Sequence, residues 1–114
     1  MGKIEDIYLR YKNKSYMNFQ AIQKSIADYL MTQPVTKAWI FGSFARGEET
    51  PLSDIDVLVE YEPGGVSLLR HTSIICELER LLDRSVDLVQ EKLLHPRVRE
   101  NVLQDRKLIY ERSC

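Results

Sequence analysis

Two aspartates, Asp54 and Asp56, stand two residues apart at the head of the apolar run Asp-Ile-Asp-Val-Leu-Val-Glu-Tyr61. Side chains alternate faces along a strand that rises roughly 3.3 Å per residue, so the pair shares one face with its Cα atoms roughly 7 Å apart. Ile55 and Val57 take the other face. Two carboxylates on one side of an otherwise apolar strand repel each other and resist burial, and a bound cation is the simplest reason to place them there. A third strand acid, Asp87, lies between Val86 and Leu88, which face the opposite way. Hard cations such as Mg²⁺ prefer carboxylate oxygens and commonly share their shell with substrate phosphates. Two such ions, about 4 Å apart, can clamp the attacking and leaving oxygens of an in-line phosphoryl displacement. Taken singly, Asp54 reads better as a turn cap, Asp56 as a solvent-facing strand residue and Asp87 as an edge charge that blocks aggregation. The three together favour the metal site.

Upstream, Gly42-Ser43 ends the apolar run Trp-Ile-Phe41 and opens a helical turn. A glycine there lets the chain turn sharply and lets a ligand approach the backbone, while the free N–H groups of a helix start favour phosphate oxygens. The serine hydroxyl can donate to the same anion. Gly-Ser is also an ordinary turn, and no Gly-Lys-Ser or Gly-Lys-Thr follows that would make it a Walker A loop.

The elements that must position these groups follow from periodicity. Ile4, Ile7, Tyr8 and Tyr11 suit a short surface helix over residues 1–14, and Phe19, Ile22, Ile26 and Tyr29 or Leu30 give a second helix from about Ser15 to Met31, stopped by Pro34. Strands are expected over Lys37 to Phe41 and Asp54 to Tyr61, the second ended by Pro63-Gly64-Gly65. A helix from Val66 to Leu82 carries an apolar stripe of Leu68 or Leu69, Thr72, Ile75, Leu78 and Leu82, with Glu77, Glu79, Arg80 and Arg84 on its wet face. Then come a strand over Ser85 to Val89, a helix over Pro96 to Gln104 with Val98, Val102 and Leu103 inward, and a last strand over Lys107 to Glu111. The order implies an α/β or α+β domain: a small mixed sheet of about four strands with helices packed on one face.

At 114 residues the chain has room for one domain with a real core. The reading divides it into an N-terminal helical segment (1–33), a core (36–90) and a C-terminal helix and strand (91–114). A formal net charge of −1 gives no bulk attraction for nucleic acid or an anionic membrane. No run approaches the roughly 18 apolar residues of a membrane span, and the start lacks an apolar signal core, so the expected setting is the cytoplasm. Cys76 and Cys114 match neither a metal knuckle nor a CxxC motif and read as reduced, structural or incidental thiols. His71 and His95 read as surface or cap residues, and Trp39 and Phe41 as core of the first strand.

Gly42-Ser43, ten intervening residues and Asp54-Ile55-Asp56 resemble the signature of the polymerase-β-like nucleotidyltransferases. Gly-Ser-Phe-Ala-Arg-Gly followed by Ser-Asp-Ile-Asp is similar to their minimal (MNT) branch, and Val86-Asp87-Leu88-Val89 to the family's third acidic strand. The likeness covers roughly residues 36–90. It implies a nucleotidyltransferase fold in which Asp54 and Asp56 ligate two Mg²⁺ ions, Asp56 shared between them, with Mn²⁺ an acceptable substitute. Asp87 would complete the catalytic metal site and help lower the pKa of the attacking hydroxyl. Gly42 and Ser43 would hold the outgoing pyrophosphate. Arg46, one helical turn on, could reach a phosphate or sit in a surface salt bridge, and Ser53 could bond phosphate or shape its loop.

The reaction so implied is attack of an acceptor hydroxyl on the α-phosphate of ATP, with release of pyrophosphate. Stand-alone members of this size are typically antitoxins paired with a HEPN-domain ribonuclease toxin encoded nearby, on which they transfer AMP to a tyrosine. The short chain agrees with a protein acceptor, since little is left to form a private pocket once the sheet is built. Two other readings stay open: transfer to a small molecule of the aminoglycoside type, and an antitoxin that acts by binding alone.

Overall fold

The computed structural model describes residues 18–50 and 53–112. The expected helix over 1–14, the start of the next helix and Cys114 lie outside the described residues. The elements are α1 (Phe19–Leu30), β1 (Val35–Phe41), α2 (Gly42–Arg46), β2 (Ile55–Tyr61), α3 (Leu68–Leu82), β3 (Val86–Gln90), a 3-10 turn (Glu91–Leu93), α4 (Pro96–Asp105) and β4 (Lys107–Glu111).

The sheet runs β3-β2-β1-β4; β1 is antiparallel to both β2 and β4, and β2 is parallel to β3. The parallel pair is possible because α3 carries the chain back between β2 and β3. This is the mixed four-stranded sheet the sequence implies, but helices cover both of its faces and not one, because α4 packs on the side opposite the main core. Alternation on β2 is clean: Ile55, Val57, Val59 and Tyr61 enter the main core, which leaves Asp56, Leu58 and Glu60 to the opposite face.

Against the main-core face pack α1 and α3. Asn18 caps α1 by accepting from the Ala21 N–H at 2.7 Å, and Ile22, Ile26 and Leu30 recur every four residues as its buried stripe. Each such side chain, fully removed from water, contributes about 1.5–3 kcal/mol. The short α2 adds Phe44 and Ala45 to the same core. It ends at Gly47, whose left-handed backbone (φ 72°) lets the Gly47 and Glu48 N–H groups bond back to Phe44 and Ser43 carbonyls.

The inward stripe of α3 differs from expectation. Its buried residues are Ile74, Leu78 and Leu82, while Leu68 and Leu69 are 81% and 78% exposed and Thr72 is exposed. The stripe does continue one turn toward the N-terminus, through half-buried His71 three residues before Ile74. A polar residue holds that place because it bridges two strands. Tyr61 Oη lies 2.7 Å from His71 Nδ1, and His71 Nε2 lies 3.1 Å from the Leu88 carbonyl. A carbonyl only accepts, so Nε2 carries the proton and the Tyr61 hydroxyl donates to Nδ1. His71 is therefore a tie between β2 and β3 and not a surface residue.

A second, smaller cluster occupies the other sheet face, where Trp39 and Leu58 meet Val102 of α4, with Phe41, Val89 and Leu94 packed around them. The Arg106 guanidinium covers the Trp39 ring at 4.3 Å. Val98 is largely exposed, so Val102 carries the burial of α4. Among the described residues no helix is long and apolar enough to cross a membrane.

Candidate active site

Of the predicted residues, Gly42, Asp56 and Asp87 come together at one end of the sheet, with Asp56 and Asp87 on the face opposite the main core. Phe41 pairs with Asp56 across β1 and β2, and Asp56 pairs with Asp87 across β2 and β3. The two carboxylate-bearing residues are thus immediate neighbours on adjacent strands. Asp54 lies one residue before β2, exposed, in the loop and not in the strand as expected. Its charge nonetheless acts on Asp56, whose carboxyl is pushed up to about 6 by burial, then by Asp87 and Asp54, and is pulled down in part by Arg46. Half-buried negative charge repelled by two further carboxylates is a site that lacks positive charge.

Gly42 supplies the other side. Its φ of 71° is left-handed, and a Cβ there would stand 2.2 Å from Oδ2 of Asp56. The turn from β1 into α2 is therefore drawn against the β2 carboxylate, closer than any side chain allows. Ser43 follows in the first turn of α2, half-buried.

Arg46 ends α2 in ion pairs on two sides, with Glu48 (Nε to Oε1, 2.8 Å) and Asp105 at the end of α4 (Nη1 to Oδ2, 3.0 Å). Ser53 turns inward on its own loop: its Oγ accepts the Thr50 N–H at 2.8 Å, and its N–H donates to the Thr50 carbonyl at 3.0 Å. Arg84 then donates to the carbonyls of Thr50, at 2.7 Å, and of Ser53, and stacks over the Phe44 ring at 4.8 Å. Arg84, read as wet-face, is the clamp that holds the loop leading into Asp54.

Between this end of the sheet and α4 lies an open cavity of about 450 Å³. Gly42, Arg46 and Asp87 form its polar end; Phe41, Val89, Leu94 and Val102 form an apolar wall, with His95, Asn101 and Asp105 along α4. Sequence reasoning missed the whole α4 contribution, which came from a helix read only for its packing. His95 is the α4 cap, accepting from the Arg97 N–H at 3.1 Å. Among the described residues no group of three acids, histidines or cysteines closes into a ready-made metal cage. Of the three acids Asp87 lines the cavity, with Asp56 beside it across the strands, and a ligand's oxygens would have to supply the rest of any coordination shell.

A mixed sheet whose glycine turn abuts a strand carboxylate, with a second acid in register beside it, is the fold of a small nucleotidyltransferase domain. A family model described as polymerase beta, nucleotidyltransferase, matches residues 24–114, and the chain belongs to that family. A candidate protein adenylyltransferase of Methanocaldococcus jannaschii is 38% identical over 89 residues, spanning 78% of this chain and 95% of that protein. The protein adenylyltransferase MntA of Thermococcus cleftensis is 38% identical over 71 residues, 62% of this chain and 71% of that one. Among solved structures, a candidate minimal nucleotidyltransferase matches with a TM-score of 0.69 and 36% identity, covering 81% of this chain and 96% of the other. A chain of a toxin-antitoxin structure with AMP-PNP matches with a TM-score of 0.70 at 22% identity, over 80% of this chain and 74% of that one, a likeness of fold alone.

Proposed function

We propose that this chain is a metal-dependent protein adenylyltransferase and antitoxin, which transfers AMP from ATP to a tyrosine of a HEPN ribonuclease toxin. The observation that carries the chemistry is the contact of Gly42 with Asp56, beside Asp87: a backbone turn suited to phosphate lies against a carboxyl pushed up to about 6 by burial and then by like charges. The acceptor and partner rest on likeness, since relatives with 38% identity carry the protein adenylyltransferase name and toxin-antitoxin complexes of MntA and HepT share the fold, with a TM-score of 0.64.

An all-oxygen donor set of Asp54, Asp56 and Asp87, short of positive charge, suits Mg²⁺ or Mn²⁺. Bound there, such ions would neutralise phosphate charge and lower the pKa of an incoming hydroxyl. The chain's own part is positional. Gly42 and Ser43 offer N–H groups and a hydroxyl to the β- and γ-phosphates, Arg46 faces the same cavity end, and Asp87 accepts the proton of the acceptor hydroxyl. The hydroxyl oxygen bonds to Pα, the Pα–O bond to the β-phosphate breaks, and pyrophosphate leaves. The apolar wall of the cavity, Phe41, Val89, Leu94 and Val102, offers an apolar surface to an aromatic group beside Asp87.

The test is incubation with the protein encoded beside this gene, labelled ATP and Mg²⁺. The neighbour should acquire label, and Asp54→Ala or Asp56→Ala should abolish it. Label that survives both substitutions overturns the metal assignment. Transfer to an aminoglycoside with no partner protein would replace the acceptor, and full protection of cells by the double variant would reduce the antitoxin to a binder.

A further inference from the structure

We propose that Asp105, the last residue of α4, is a positioning residue that holds the Arg46 guanidinium ready for the triphosphate. The inference rests on the reading of Arg46 as a phosphate ligand and extends the site to a helix that follows all three acidic residues in the chain.

Arg46 closes a five-residue helix, and among the described residues two ion pairs orient it. Glu48 takes Nε from within the same turn, at 2.8 Å. Asp105 takes Nη1 from 59 residues away, at 3.0 Å. A guanidinium has five N–H donors, and these two pairs use two of them. Among the described residues no other side chain takes the remaining donors, which can turn to an anion. Arg46 and Asp105 both line the cavity, with Gly42 at the same end, and the Arg46 charge acts on the Asp56 carboxyl. The cation is thus bracketed by two carboxylates at the mouth of the cavity, half-exposed and within reach of a ligand.

A long side chain already fixed in place loses less freedom when a ligand arrives. The bracket also spans two elements, so Arg46 keeps its place only while α4 is seated on the Trp39 and Leu58 face through Val102. Each partner of such a pair is half-exposed, so the pair adds little to the stability of the fold. Its place at the cavity gives it a role in binding instead.

The experiment is a double-mutant cycle on the full chain, read as affinity for AMP-PNP with Mg²⁺. Asp105→Asn should weaken binding about three- to tenfold, in the lower part of the range of coupling between residues in direct contact. It should raise KM for ATP with kcat held within about twofold, and leave the melting temperature within about 2 °C of wild type. Asp105→Glu should restore most of the affinity. In an Arg46→Ala background, Asp105→Asn should have no further effect. Equal losses in both backgrounds, or tighter binding by Asp105→Asn, which would mean that Asp105 draws Arg46 away from the ligand, would overturn the proposal. Unchanged affinity in Arg46→Ala overturns it too, while transfer that still depends on Asp56 would leave the broader function standing. If wild type binds no AMP-PNP, nucleotidyl transfer itself falls, and this inference with it.

Discussion

Gly42 and Asp56 are so close that a Cβ on the glycine would stand 2.2 Å from Oδ2 of the aspartate. The strand that ends at Phe41 and the strand that begins at Ile55 are antiparallel partners, with Phe41 opposite Asp56. The pairing carries the next residue of the chain past the carboxylate. Only a residue without a side chain can make that turn, at φ 71° and in contact.

Gly42→Ala and Gly47→Ala form a matched pair. Both glycines have left-handed backbones, φ 71° and 72°, but a Cβ on Gly47 meets nothing within 4 Å. Each substitution should cost about 1–2 kcal/mol of backbone strain. Only Gly42→Ala must also displace Asp56, and its transfer activity should fall about 100-fold, as expected when a reacting group is misplaced by an ångström. Paired thermal melts and label-transfer rates check this. Comparable activity in the two variants would remove the contact from the site.

Asp56 makes stability depend on pH in a defined direction. Its folded pKa of about 6 lies above the ordinary 3.8, so the folded protein binds the extra proton. Below about 3.8 both states are protonated and there is no penalty. As pH rises from there through about 6 the penalty grows, and above that it is complete. A shift of this size corresponds to about 3 kcal/mol, which partial solvent exposure reduces to about 1–2 kcal/mol. Asp56→Asn should therefore melt higher than wild type at pH 7.5 in EDTA and level with it near pH 3.5. Mg²⁺ should raise the wild-type melting temperature and leave that of the variant unchanged. A variant no more stable at pH 7.5 would contradict the charge-repulsion account.

The acids and the glycine turn were legible because each breaks a local rule: carboxylates in an apolar strand, and a glycine where a strand should end. The strand order was not, since it depends on which edges α3 and β4 reach. Leu68 and Leu69 drew the stripe of α3 to its exposed face because hydrophobicity marks a buried side only when the buried side is apolar. At the first turn the inward residue is half-buried His71, and its reason for being there lies on two other elements. Asp105 was illegible for a similar cause. Its partner Arg46 is 59 residues away, and no period links them.

Arg84 should govern the loop before Asp54. It donates to the Thr50 and Ser53 carbonyls and covers Phe44, which belongs to the main core. Arg84→Lys keeps the charge but loses the planar fork that reaches two carbonyls at once. It should lower transfer by roughly tenfold with a loss of about 1 kcal/mol in stability. Ser53→Ala, which removes one acceptor for the Thr50 N–H, should cost about 0.5–1.5 kcal/mol without changing the affinity for AMP-PNP. A large loss of nucleotide affinity in Ser53→Ala would return Ser53 to the phosphate site.

His71 gives the remaining test, because it joins β2 to β3 on the side away from the acids. Its imidazole accepts from Tyr61 and donates to the Leu88 carbonyl, the residue next to Asp87. Burial, and then the neighbouring Tyr29, push the Tyr61 phenol up to about 12, so the hydroxyl stays protonated and able to donate throughout the working range. His71→Ala leaves a half-buried hydroxyl and a strand carbonyl without their partner and should cost about 1–3 kcal/mol. His71→Gln, with a donor and an acceptor of its own, should recover part of that loss. Tyr61→Phe removes only one end and should cost about 1 kcal/mol. If the tie also fixes where β3 holds Asp87, kcat should fall in His71→Ala and recover in His71→Gln, with KM for ATP unchanged in both. A stability loss with normal kcat would confine His71 to the fold.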